Sequence, residues 1–101
     1  MPRMPTHRSP THPGEILLEE FLKPLGMTQR ELAARIRVSY PRVNEIVHGK
    51  RGVTPDTALR LSRLFGTSAE FWLNGQLAWD LHHALHSDAV QEIEQILPVA
   101  R

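Results

Sequence analysis

The chain has 101 residues, 41% of them hydrophobic, and twelve basic against eleven acidic side chains give it a formal net charge of +1. That length supplies one modest core and is too short for two domains. The absence of cysteine excludes disulfides and cysteine-based metal sites. No apolar run approaches the roughly 20 residues needed to cross a bilayer, and the opening MPRMPTHRSPTHPG lacks the apolar segment of a secretory signal, so a soluble intracellular protein is expected.

Residues 1–12 contain three of the eight prolines and no periodic apolar pattern, which reads as a flexible arm. Its functional alternative is a minor-groove arm using Arg3 and Arg8. A first helix is expected from Pro13 to Lys23, with proline at its start, Glu15 in its favourable first turn and Pro24 closing it. Ile16, Leu17, Leu18, Phe21 and Leu22 cover more than one stripe of it, and Glu19 with Lys23 makes an ordinary i, i+4 surface pair.

The segment from Thr28 to Pro55 is the most informative. Thr28 and Glu31 form the signature of a capping box, and Leu32 and Ile36 lie four apart on one face beside the small Ala33. Ser39 suits the N-cap of a second short helix, Tyr40 to His48, whose buried stripe is Val43, Ile46 and Val47 and which Gly49 stops. Two short capped helices joined by a tight turn are the layout of a DNA-reading helix-turn-helix. Thr54 and Pro55 open a fourth helix with Ala58, Leu61 and Phe65 inward, ended by Gly66. A fifth starts at Thr67, in a box with Glu70, or at Ser68; Phe71, Trp72, Ala78, Trp79, Leu81 and Leu85 give it a broad apolar surface. A last helix is expected from Asp88 to Leu97, capped by Ser87, with Val90, Ile93 and Ile96 at helical spacing.

Charge follows this organisation. Residues 28–63 carry eight basic and three acidic side chains, while the rest of the chain carries four and eight. A positive centre between acidic ends is what phosphate recognition requires.

In the segment from Thr28, the identities of Gln29, Leu32, Ala33, Ile36, Val38, Val43 and Ile46 resemble the Xre and lambda-repressor-like helix-turn-helix family. One position departs from it, since Arg37 stands in the turn where glycine is usual; a left-handed Arg37 would cost on the order of 1 kcal/mol. The longer run His12 to Trp79, with its words PGEIL, VNEIVHGKR, TPDTALRL and EFWLN, is similar more narrowly to the HigA-type (VapI-like) antitoxins of addiction modules. The resemblance implies an all-α protein with a flexible arm over 1–12, a lambda-repressor-like five-helix DNA-binding domain over 13–75 and a C-terminal helical dimerisation extension over 76–101. It further implies a cytoplasmic, nucleoid-associated homodimer that binds its own operator, represses its operon and neutralises a RelE-like, HigB-type mRNA-cleaving toxin. A stand-alone Xre regulator without a toxin is the alternative.

Specific roles follow from a recognition helix entering the major groove by its N-terminal end. Asn44 offers the paired contact to adenine, Arg42 the paired contact to guanine, and Tyr40 and Pro41 apolar faces for a thymine methyl. Gln29, beside Thr28, would hold a phosphate at the start of the preceding helix, and Lys50 and Arg51 lie past the recognition helix, better placed for phosphates. Ser39 is foremost a cap that lies near the DNA. Because few helices remain to bury both tryptophans, Trp72, Trp79, Leu81 and Leu85 are the expected dimer interface. A two-fold dimer places recognition helices about 34 Å apart and demands an inverted repeat.

His82 and His86 have the i, i+4 spacing that can hold zinc, but two ligands are too few, and no metal or other cofactor is expected. No nucleophile, base and orienting acid form a recognisable arrangement, and there is no phosphate-cradling glycine loop, so an enzyme is not expected.

Overall fold

The computed structural model describes residues 9–100, so Arg3 and Arg8 of the expected arm lie outside the described residues. The described residues form six helices and no strand. Helix α1 covers residues 13–25 in three consecutive stretches: α-helical Pro13–Ile16, π-helical Leu17–Leu22 and a last turn, Lys23–Leu25. Then follow α2 (Gln29–Ile36), α3 (Tyr40–Val47), α4 (Pro55–Phe65), α5 (Ala69–Leu85) and α6 (Ala89–Glu94).

Each end of the compact part is fixed by local chemistry. Thr28 and Glu31 form the reciprocal capping box, and Ser39, Thr54 and Ser68 each accept a hydrogen bond from a backbone N–H of the first turn that follows. Ser68 is therefore the cap of α5, and Thr67 instead accepts from the Trp72 indole Nε1 at 2.8 Å. Gly26, Gly49 and Gly66 close α1, α3 and α4 with positive φ.

Three boundaries differ from expectation. The first helix runs through Pro24 and stops at Gly26, at φ 63°. Proline inside a helix crowds the carbonyl four residues back, and the wide π-helical turns that precede Pro24, in which Lys23 N–H reaches Leu18 O, give it room. The last helix is shorter than Asp88 to Leu97: it ends at Glu94 and has no side-chain cap, because Ser87 Oγ donates back to Ala84 O at 2.7 Å. Ile96 and Leu97 lie beyond it, exposed.

The core is built from one to three residues of every helix from α1 to α5, with Ala33 beside the larger side chains of α2. Leu17 and Leu22 of α1, Leu32 and Ile36 of α2, Val43 and Ile46 of α3, Ala58 and Leu61 of α4 and Trp72 of α5 are buried together. Trp72 is 1% exposed and packs on Phe21, ring centroids 5.1 Å apart, which in turn lies 4.8 Å from Phe65. The expectation that Trp72 faces a dimer partner is thereby corrected. The aromatic ring of Phe21 and the α4 helix suffice to bury it within one chain.

Helix α1 reaches α3 through Gly14. A Cβ built there would stand 1.7 Å from Ile46 O, so only glycine lets α1 lie against the carbonyl end of α3. Just before it, His12 is the N-cap of α1: its Nδ1 accepts from Gly14 N–H at 2.9 Å, and its ring meets Trp79 edge-on at 5.0 Å. Burial pushes the His12 pKa below its ordinary value; the Asp80 carboxylate opposes this and His83 reinforces it.

Because the unfolded chain binds this proton more tightly than the folded one, His12 contributes stability that is complete above its ordinary pKa of about 6.5 and is lost as pH falls through the lowered folded value. Urea unfolding should show that loss as a midpoint that falls as the solution is acidified through this range. His12→Asn, which keeps an acceptor at the cap without titrating, should flatten the change between about pH 7 and pH 5. Equal losses in the two proteins over that window would show that another group is responsible.

Candidate nucleic-acid interface

Helices α2 and α3 are held by a turn that the sequence marked as unusual. Arg37 has φ 61° and ψ 47°, the left-handed conformation, and among the described residues no other non-glycine has positive φ. Its N–H donates to Ala34 O at 3.3 Å and that of Val38 to Ala33 O at 3.0 Å, which is the paired closure seen at Gly26 and Gly49. Arg60 of α4 braces it from outside, its Nη1 donating to Ile36 O at 2.8 Å and Arg37 O at 3.3 Å. Arg60 is itself aimed by Asp56, whose Oδ2 accepts from Arg60 Nε at 2.9 Å and from Arg42 Nη2 at 3.0 Å. Those bonds, that from Arg60 first, hold the Asp56 carboxyl below the usual carboxylate range.

Four expected contact residues come together. Asn44 Nδ2 donates to Gln29 Oε1 at 3.0 Å and lies 3.5 Å from the Tyr40 hydroxyl, while Thr28 caps the helix that begins with Gln29. Gln29 Nε2 and Asn44 Oδ1 have no hydrogen-bond partner among the described residues, so the joined amides keep a donor group and an acceptor group for a ligand. An open cleft of about 400 Å³ is lined by Thr28, Gln29, Arg30 and Tyr40, at the N-terminal, positive end of α2. Arg30, which no motif in the sequence singles out, belongs to this surface too: its guanidinium lies 4.3 Å over the Tyr40 ring, a cation–π contact. That contact also occupies one face of Tyr40, leaving less ring for a thymine methyl.

The others are placed differently. Arg42 is the clearest correction. Its guanidinium does not extend free from α3 but bonds Asp56 and the buried Thr57 Oγ1, so it ties α3 to the start of α4. Ser39 is the cap of α3. Pro41 is exposed in the first turn of α3. Lys50 is exposed in the following loop, and Arg51 Nε bonds Glu45 Oε1 at 2.8 Å, an exposed and therefore weak surface pair. Behind that loop, Gln76 of α5 is buried, receives Val53 N–H on Oε1 at 2.8 Å and donates from Nε2 to Asp80, so α5 fixes the exit from the reading helix. No local pattern in the sequence distinguishes Gln76 from a surface glutamine.

Of the expected dimer residues, Trp79 is half-buried against His12 and His83, whereas Leu81 and Leu85 are exposed. Leu77, absent from that set, continues them in an i, i+4, i+8 row. Among the described residues no three His, Cys, Asp or Glu side chains gather as a metal site, and His86 Nδ1 is engaged with the His82 carbonyl at 2.7 Å. No helix among them is long and apolar enough to cross a membrane.

A helix-turn-helix family model matches residues 18–72. Virulence-associated protein I of Dichelobacter nodosus is 52% identical over 89 residues, covering 88% of this chain and 81% of that protein. Antitoxin HigA-1 of Vibrio cholerae is 42% identical over 77 residues, 75% of this chain and 71% of that protein. The solved structure of the Pseudomonas aeruginosa antitoxin HigA with its higBA promoter superposes with a TM-score of 0.83 at 43% identity, over 90% of this chain and 99% of that one. The chain belongs to the HigA-type branch of the Xre, lambda-repressor-like helix-turn-helix family. This is a family of DNA-binding antitoxins and regulators and not of enzymes.

In this member the strain sits at Arg37. Arg37→Gly should relieve it and raise stability by about 1 kcal/mol, less whatever the freer unfolded chain takes back. A urea midpoint that moves upward at unchanged slope is the expected result; an unchanged or lower midpoint would mean that the arginine side chain contributes as much as its backbone costs.

Proposed function

We propose that this protein is an operator-binding antitoxin: a homodimer that reads an inverted repeat, represses its own operon and neutralises a RelE-like mRNA-cleaving toxin in the cytoplasm. The observation that carries the reading is the Gln29–Asn44 amide pair on the outer face of the helix-turn-helix, in a chain 43% identical to a HigA solved with promoter DNA. Asn44 Oδ1, with an amide hydrogen released or shared, addresses an adenine edge. Gln29 Nε2, Arg30 and the start of α2 hold a phosphate, and Lys50 and Arg51 hold others. Arg42 keeps α3 at its angle through Asp56 rather than reading guanine. The exposed row Leu77, Leu81 and Leu85 supplies the two-fold contact with a second copy, the natural use of such a stripe next to a short terminal helix.

Base and phosphate contacts fail differently. Asn44→Ala should cost about 1 to 3 kcal/mol on the operator and little on scrambled duplex, flattening preference at one position of each half-site. Arg51→Ala should weaken both alike and reduce the salt slope by about 0.9 per chain bound. Fluorescence titrations of both variants at several salt concentrations check this, and parallel losses for the two would sink the assignment.

The toxin relationship is tested separately by co-expression with the product of a neighbouring gene for a small basic RelE-like protein. Restored growth is the expected outcome. Continued growth arrest, with the antitoxin chain folded and bound to DNA, would leave a stand-alone repressor.

A further inference from the structure

A second cleft, of about 500 Å³, opens at the other end of α2, between its C-terminus, the Arg37 turn and α4, and is lined by Arg35, Arg37, Arg60 and Arg63 with Asp56 and Leu59. Four guanidinium groups face one carboxylate, and both ion pairs of that carboxylate are made through one oxygen, to Arg60 and to Arg42. Arg35, Arg37 and Arg63 are exposed and make no ion pair among the described residues. One carboxylate does not balance four guanidinium groups, and the exposed arginines repel one another, so the cleft favours an oxyanion with several negative charges. Guanidinium forks match phosphate oxygens best.

Its position narrows the source of that phosphate. The two clefts lie at opposite ends of a helix of eight residues, about 12 Å long at 1.5 Å per residue. The B-DNA major groove is also about 12 Å wide between its phosphate ridges. We infer that α2 bridges the major groove: the cleft at Thr28, Gln29 and Arg30 holds one backbone, and the arginine cleft at Arg35, Arg37 and Arg63 holds phosphates of the opposite strand. This rests on the proposed DNA reading. Arg60 has a different part, since it braces the turn and is already bonded to Asp56, Ile36 O and Arg37 O.

The test uses the full chain and the double substitution Arg35→Gln/Arg63→Gln, which removes two exposed side chains without removing a described contact. Its melting temperature should match that of the unaltered protein, and its operator affinity should fall at low salt, with a salt slope shallower by about 1.8 per chain and an unchanged ratio of operator to scrambled affinity. An unchanged slope and affinity, in a protein whose Asn44→Ala variant still loses discrimination, would overturn the second backbone contact while leaving the DNA reading intact. If the unaltered chain binds no duplex, the DNA reading itself fails, and this bridging falls with it. Inorganic tripolyphosphate then reports on the cleft alone: a thermal shift abolished by the double substitution would assign it to a free polyphosphate instead.

Discussion

Between α2 and α3 the chain has three residues in which to stop one helix, turn and start the next, and it does so with Arg37 in the left-handed region. The carbonyls of Ala33 and Ala34 are thereby used up by N–H groups of the turn itself, so the two helices cross at an angle set by backbone geometry rather than by side-chain packing alone. Everything the reading face offers depends on that angle. Gln29 reaches Asn44, and Arg30 reaches Tyr40, only because the start of α2 lies beside the outer face of α3. A residue type that costs about 1 kcal/mol in this conformation is retained where glycine would be free of strain. Arg37 also lines the arginine cleft, which gives its side chain a use that glycine cannot supply.

The strained turn is not left to itself. Arg60 closes over its carbonyls, Asp56 orients Arg60, and the same carboxylate receives Arg42 from α3. Individually such exposed pairs are weak, because water screens them and long side chains lose freedom in making them. Joined through one carboxylate they tie α2, α3 and α4 at a single point, next to the buried Thr57 that also receives Arg42. Their contribution is to geometry more than to stability. Gly14 against Ile46 O and Gln76 against Val53 N–H act in the same way on the far end of α3, so both ends of the reading helix are positioned by partners distant in sequence.

What was legible in the sequence was local. The capping box at Thr28 and Glu31, the caps Ser39 and Thr54, the glycine stops and the inward stripes involve residues at most four apart, where spacing alone determines who can meet. The odd residue in the turn was legible for the same reason. Contacts between helices were not. Nothing in the spacing of Arg42 says that Asp56, fourteen residues on, will claim its guanidinium, and nothing near Trp72 says that Phe21 and Phe65 will enclose it. Nothing in the sequence separates His12 from the arm before it, because histidine is an uncommon cap and its ring packs on Trp79, far along the chain. Pro24 looked like a stop because the π-helical turns that accommodate it have no simple sequence signature.

The division of apolar surface is the consequence with most bearing on assembly. A chain of this length cannot enclose every large side chain. Here the first turns of α5, with Trp72 and Gln76, belong to the core, while beyond Trp79 the helix leaves it, giving a molecule 52 Å long and 25 Å thick. The leucines that remain outside are not scattered but aligned, at positions 77, 81 and 85, on the helix that also holds the loop after α3 through Gln76. A partner packed on that row would therefore press on the same rigid element that fixes the exit of the reading helix. Pairing two chains through α5, as proposed, would set the separation and the tilt of two reading helices together, which is what recognition of a two-fold operator would require.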